Sequence, residues 1–235
     1  IGIYDESNGG FSIGVWKNSN FDQIEYLLNK VPADSRNTVL KNLINKSLLT
    51  ISNPPVQKNK NEKIFFDLKI DYLEKAANYS EIEKLFNLTS EDDLNDSLLD
   101  KYITSKLIIG DYKSICKLDN RISEEKFKLE MNSFCKAMSN NLPALDLMIS
   151  LLIEEDIADK DLLYIYYSYL NQTEIDLKRI KNIDIKKINL ISNLGIDFSE
   201  YIDENSPLEL QLFFIYSKLK AEDKKVVLAE NLLSI

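Results

Sequence analysis

At 235 residues with 44% of them hydrophobic, the chain has material for one large domain or one elongated array, and that content opposes disorder. Its formal charge of −9 argues against nucleic acid and anionic membrane surfaces, which call for basic stripes that neutralise phosphate. The chain has no histidine, which removes Ser-His-Asp and Cys-His nucleophile systems, a histidine base and an ordinary zinc site. Two cysteines, Cys116 and Cys135, are too few for a thiolate zinc site.

Residues 1–18 read as an extended segment. Gly9, Gly10 and Gly14 break any helix, and Phe11, Ile13 and Val15 alternate with small residues. These glycines do not match a phosphate cradle, which runs from a strand into a helix N-terminus. The segment is expected to lie against the helices that follow, with Trp16 anchored by the helix bearing Phe21 and Ile24. The opposite reading has it reaching outward, so that Tyr4, Phe11 and Trp16 meet a partner. Residue 1 is not methionine, which leads us to expect that an upstream segment, with any signal or anchor, has been cut away.

Residues 19–51 read as an opening helical hairpin. Ser19 or Asn20 can cap a helix with Phe21, Ile24, Leu27 and Leu28 on one face, ended at Val31 because Pro32 disfavours helix in the residue before it. A second helix from about Ser35 turns Val39, Leu40, Leu43, Ile44 and Leu48 inward and stops at Asn53-Pro54-Pro55. The stretch 52–63 is polar and proline-bearing, and reads as a solvated connector.

From residue 64 to 235 the pattern is an array. Two copies align at a spacing of 33: Phe65/Leu98, Phe66/Leu99, Ile70/Ile103, Ala76/Ile109, Tyr79/Tyr112, Ile82/Ile115 and Leu85/Leu118. Each reads as two helices around a short turn, Ala77-Asn78-Tyr79 and Gly110-Asp111-Tyr112. A third turn, Asn140-Asn141-Leu142, follows with Leu145 and Met148 in register. A hairpin cannot bury its apolar face alone, so such a period marks stacked hairpins. Further helices are predicted from Asp159 to Leu170, from Thr173 to about Lys181, and from Asp184 to just before Gly195. Another starts at Ser206-Pro207-Leu208-Glu209, with serine as cap and proline first, and a last one carries Val226, Ala229 and Leu233 inward. In the run Tyr164-Ile165-Tyr166-Tyr167-Ser168-Tyr169, Tyr166 and Tyr169 join the core stripe while Tyr164 and Tyr167 point elsewhere. That second face serves either an interface or burial between hairpins.

The turn Gly110-Asp111-Tyr112-Lys113-Ser114-Ile115 and its counterpart Ala77-Asn78-Tyr79-Ser80-Glu81-Ile82 resemble the inter-helix turn of tetratricopeptide-type repeats. This resemblance covers about a third of the chain and departs from the pattern at Ile82 and Ile115, where alanine is usual. It implies an all-α fold of antiparallel hairpins stacked as a right-handed solenoid. The opening Ile1-Gly2-Ile3-Tyr4-Asp5-Glu6-Ser7-Asn8-Gly9-Gly10, with Phe134-Cys135-Lys136-Ala137, resembles uncharacterised exported repeat proteins of alphaproteobacteria. That likeness implies a periplasmic or cell-envelope address.

The function expected from these features is a non-catalytic scaffold or adaptor that binds another protein, with Tyr164, Tyr167, Tyr4, Phe11 and Trp16 as candidate contacts. No catalytic, cofactor-binding or metal-binding residues are expected: the acidic runs Glu91-Asp92-Asp93 and Glu154-Glu155-Asp156 lack the alternating ligands and central glycine of a calcium loop. No stretch, Leu147 to Ile153 included, nears the roughly 20 apolar residues that cross a bilayer. The competing reading is a hydrolase of envelope glycans working with carboxylates alone, which needs two acids in one cleft. For the cysteines, counting helical rise from the Leu118 to Arg121 turn puts them at different heights on adjacent helices, against a bond. The envelope address implied by the resemblance pulls the other way, because oxidising compartments pair thiols.

Overall fold

The computed structural model describes residues 2–31, 37–56, 62–89, 96–118, 121–122, 124–157, 159–217, 219 and 221–234. Among these, regular structure is helical. The elements are α1 (Phe21–Lys30), α2 (Thr38–Leu49), α3 (Glu62–Lys75), α4 (Tyr79–Leu88), α5 (Asp96–Ile108), α6 (Tyr112–Ile115), α7 (Glu125–Met138), α8 (Leu142–Glu154), α9 (Lys160–Asn171), α10 (Ile185–Asn193), α11 (Leu208–Tyr216) and α12 (Glu222–Ser234). Pairing of extended backbone is limited to isolated bridges from Tyr4 to Thr50 and from Asn20 to Val56. No helix among the described residues is long and apolar enough to cross a membrane. Contacts divide the chain into two units, Lys106–Leu232 and the remainder, with the division falling inside α5.

In the first unit, α1 and α2 each pack on α3, and α3 pairs with α4. Asn20 caps α1 by accepting the Asp22 N–H, and Val31 leaves the helix in an extended conformation. Ser35 and Pro32 lie outside the described residues. The opening hairpin buries less than its pattern promised: Ile24 and Leu48 are buried, whereas Leu27, Val39, Leu40 and Leu43 are exposed. Periodicity places residues on one face without saying what covers that face.

The N-terminal segment is docked, and it is not one continuous strand. It holds a single 3₁₀ turn at Glu6–Asn8, capped by Asp5. Ile3 and Tyr4 donate their N–H groups to the Leu49 carbonyl at 2.6 and 3.0 Å, and the Ile51 N–H donates back to the Tyr4 carbonyl at 2.7 Å. Gly2 is needed here, because a Cβ would fall 2.5 Å from the Thr50 backbone. Trp16 meets Phe65 of α3 edge-on, with centroids 5.7 Å apart, and packs with Leu28 and Ile44 on Leu48, Tyr72 and Ala76. Its anchor is thus α2 and α3, with α1 contributing Leu28. The described part of the expected connector runs beside this segment, Asn53 donating to the Ile13 carbonyl and Val56 to that of Ser19. Residues 57–61 lie outside the described set.

The repeat survives in burial. Phe65/Leu98, Phe66/Leu99, Ile70/Ile103, Ile82/Ile115 and Leu85/Leu118 are buried in both copies, and Tyr79/Tyr112 are half-buried in both. The pair that breaks is Ala76, buried, against Ile109, 55% exposed.

In the second unit, α7 pairs with α8, α8 with α9, α9 with α10, and α10 returns onto α7 while also meeting α11. Six helix ends among the described residues close in the same way. The residue after the last turn takes a left-handed conformation, at Ala77, Gly110, Asn140, Asp156, Gln172 and Gly195. The next N–H then reaches back five residues, Asn78 to Leu73, Asp111 to Lys106, Asn141 to Lys136, Ile157 to Leu152, Thr173 to Ser168 and Ile196 to Ile191. This is the Schellman motif, which satisfies carbonyls that the helix end would orphan.

Cys116 and Cys135 form a disulfide, Cα atoms 5.7 Å apart, against the geometric expectation. That expectation assumed a helix running on past Cys116. α6 has only four residues, and Cys116 already caps its C-terminus. Helical rise therefore does not fix the height of Cys116 against α7, and the geometric expectation loses its basis.

Three smaller expectations are also corrected. Between Thr173 and Lys181 there is only the 3₁₀ turn Leu177–Arg179, because Gln172 ends α9 left-handed and Asp176 caps Lys178 at once. Ser206 does not cap α11: its hydroxyl bonds Asp203, and Pro207 sits at the N-cap. On α12 it is Leu228 and Lys225 that are buried, while Val226 is exposed; the side chain of Leu233 lies outside the described set.

Candidate functional site

The second unit holds an open groove of about 560 Å³. Its apolar wall is Ile108, Ile109, Met138, Ile196, Phe213 and Leu219, and its polar positions are Tyr112, Asn189, Ser192, Asn193, Tyr216 and Ser217. Among the described residues the lining holds no carboxylate, lysine or arginine. The size falls within the range of about 300–1,000 Å³ for sites that take small molecules or inserted side chains. Tyr216 is 64% exposed at the rim, and Phe213 is buried at the base.

Several wall positions follow from helix ends. Ile109 and Gly110 belong to the turn after α5, and Tyr112 opens α6 under the Asp111 cap. Asn189 and Asn193 lie one turn apart on α10. Asn189 is 3% exposed, and its Nδ2 donates to the Leu107 carbonyl at 3.1 Å and the Ile185 carbonyl at 2.8 Å. Asn193 Nδ2 donates to the Tyr169 hydroxyl at 3.2 Å, and that hydroxyl donates to the Leu190 carbonyl at 2.7 Å. Burial pushes the Tyr169 hydroxyl well above its ordinary range, so it stays a donor.

A second, smaller cavity of about 180 Å³ brings Glu130, Asp159, Asp184, Lys186, Lys187 and Tyr166 together. Lys187 is spent within it, its Nζ donating to Asp159 at 2.7 Å and the Asn182 carbonyl at 3.0 Å, with Asp184 3.2 Å away. Lys186 pairs with Glu130 at 2.7 Å. Partial burial would raise the Asp159 carboxyl, but Lys187 and the Leu162 N–H hold it below the usual range. Burial raises the Tyr166 hydroxyl well above its ordinary range.

Of the residues predicted to meet a partner, Tyr164 and Tyr167 belong to the second unit and Tyr4, Phe11 and Trp16 to the first. Tyr164 and Tyr167 leave the core stripe of α9 as expected, Tyr167 exposed and Tyr164 accepting the Asp176 N–H at 2.9 Å with Arg179 over its ring. Tyr4 lines a cleft of about 340 Å³ in the first unit with Asn42, Asn45, Lys46, Asn78 and Glu81. Phe11 lies under the Lys46 ammonium, 5.0 Å from its ring centre, and Trp16 is part of the core packing. The groove residues went unnamed in the sequence because Ile109 and Tyr112 read as repeat positions and Asn189 as an ordinary polar residue of a helix. No protein-family model, no curated protein and no solved structure matches this chain.

Proposed function

We propose that this chain is a non-catalytic protein-binding module of the cell envelope, and that the groove between Tyr112 and Tyr216 is where a partner docks. The observation that carries the reading is the composition of that groove among the described residues: aromatic rings, amides and hydroxyls around an apolar floor. Rings with a polar tip suit protein contacts, and they give up little conformational entropy on binding. The tetratricopeptide-like arrangement, hairpins stacked in a right-handed solenoid, is part of the same proposal and draws support from the recurring Schellman turn. The envelope address draws support from the Cys116–Cys135 disulfide, a bond that persists in oxidising compartments.

The carboxylate-only hydrolase has one observation on its side, the gathering of Glu130, Asp159 and Asp184 around one cavity. Glycoside cleavage requires one acid held protonated by a raised pKa. Asp159 moves the opposite way, and Asp159 and Asp184 share one lysine, which is the pattern of a structural clip.

A photo-crosslinking residue placed at Tyr216 in cells tests the proposal. The expected result is one discrete protein adduct that vanishes when Phe213→Trp fills the groove. Adducts spread over many proteins, or none, would defeat it.

A further inference from the structure

We propose that α8 pairs antiparallel with α8 of a second copy of this chain, through a face that contributes nothing to the groove lining.

The helix is apolar on two sides. Between Leu142 and Glu154 its polar residues are Asp146, Ser150 and Glu154 alone. Leu145, Ile149 and Leu152 are buried, and α8 packs on α7 and α9. On the side turned away from these three, Ala144, Leu147 and Leu151 form a second stripe, with Leu147 59% exposed and the other two half-buried. A helix with one side in water carries polar residues there, whereas one that is apolar all round has company on each side. Steps of three and four residues, from Ala144 through Leu147 and Leu151 to Glu154, are the spacing by which two helices interlock along a seam.

The charges at the two ends of α8 select the occupant. Its first turn holds no acidic residue and its last turn no basic one. Glu154 ends the helix, Glu155 is its C-cap, and Asp156 follows in a left-handed conformation. Three carboxylates thus stand at the negative pole of the helix dipole, which disfavours them. An antiparallel copy offsets this at both ends, because it sets each acidic end beside the other helix's N-terminus. A twofold axis at the level of Ile149 brings Leu147 against Leu151 of the second copy and Glu154 against its Ala144. The centre becomes a layer of four leucines, and Ala144 is small enough to admit a glutamate at the first turn, where a carboxylate is favoured. A parallel pair would stack acid on acid. With one helix from each copy, the contact lies at the small end of specific interfaces, so the pairing is weak and depends on concentration.

The test is sedimentation equilibrium of the intact disulfide-bonded chain, from low micromolar to near-millimolar concentration. The mass is expected to rise from one chain towards two. Leu147→Glu, which places like charges in the leucine layer, should weaken the pair by at least about tenfold. Glu154→Lys distinguishes pairing from a role within one chain. It should raise the melting temperature of the dilute monomer, where a cation suits its own helix end, and weaken the pair, where the same cation meets the other copy's N-terminus. Adding Ala144→Glu to Glu154→Lys should restore the pair, each new carboxylate meeting the new ammonium of the other copy. Leu147 and Glu154 are both exposed, and circular dichroism checks that each variant keeps its helices. A chain that stays monomeric at every concentration would overturn the inference, and so would a dimer that Leu147→Glu and Glu154→Lys both leave unchanged. Weakening by the single variants without rescue by the double variant would overturn the antiparallel arrangement. The groove is judged separately by the crosslinking at Tyr216.

Discussion

Tyr169 and Lys69 show how single buried polar groups set the chain's stability. The Tyr169 hydroxyl links the Leu190 carbonyl and the Asn193 amide inside the second unit. Tyr169→Phe should therefore cost roughly 1–2 kcal/mol in chemical denaturation, the usual loss when a buried partner is left unpaired. Lys69 of α3 is 2% exposed, its ammonium 4.9 Å from the Phe65 ring centre, and burial lowers its pKa to about 8. In the unfolded chain a lysine titrates near 10.4. Between these values the unfolded state holds a proton that the folded state has released, so stability rises with pH across that window and is lost again as pH falls through 8. The stability of wild type relative to Lys69→Met should climb by about 3 kcal/mol from pH 7 to 10.5. A flat difference would mean that Lys69 stays charged throughout. The division of α9 into core tyrosines 166 and 169 and outward tyrosines 164 and 167 was legible from helical spacing alone. The role of Asn189 was not, since it depends on a carbonyl 82 residues away.

Among the elements, the hairpin turns read most clearly in the sequence, because Gly110-Asp111 and Asn140-Asn141 are residues that tolerate the left-handed backbone and cap the next helix. Ala77 is the exception, with φ 55° at a position where a β-carbon is strained. Ala77→Gly should stabilise the protein by about 1 kcal/mol, and Gly110→Ala, where a new Cβ meets nothing within 4 Å and the cost is purely conformational, should destabilise it by about as much. Paired thermal melts of the two variants check both signs at once. The shortness of α6 and the lack of a helix over 173–181 were illegible, since apolar spacing there still fits a helix and the local caps of Asp176 and Cys116 decide otherwise. Exposed Val39, Leu40 and Leu43 fail for a different reason: a stripe on α2 is a property of one helix, and its burial belongs to whatever lies opposite.

For the molecule as a whole, all-α character followed directly from spacing, whereas the division at Ser105 to Lys106 did not, because it cuts through α5 with no change in composition. The disulfide was equally out of reach, as it depends on α6 ending at Ile115, where the apolar spacing sets no stop. It closes a loop with a sequence separation of 19, worth about 3 kcal/mol through restriction of the unfolded chain. Urea unfolding with and without dithiothreitol should differ by roughly that amount, and thiol titration of the denatured, unreduced protein should find no free thiol.

The same bond makes a covalent ring of residues 116–135, and Lys117, Arg121, Lys126 and Lys128 all lie inside it. A protease that cuts once after any of them opens the peptide chain without parting it. A molecule nicked there would migrate in electrophoresis as one species of unchanged mass until a reductant was added, and then as two. The hairpins on either side of the cut would stay tethered at Cys116 and Cys135, so a single break in this stretch would leave Tyr112 held beside α7 and the groove assembled.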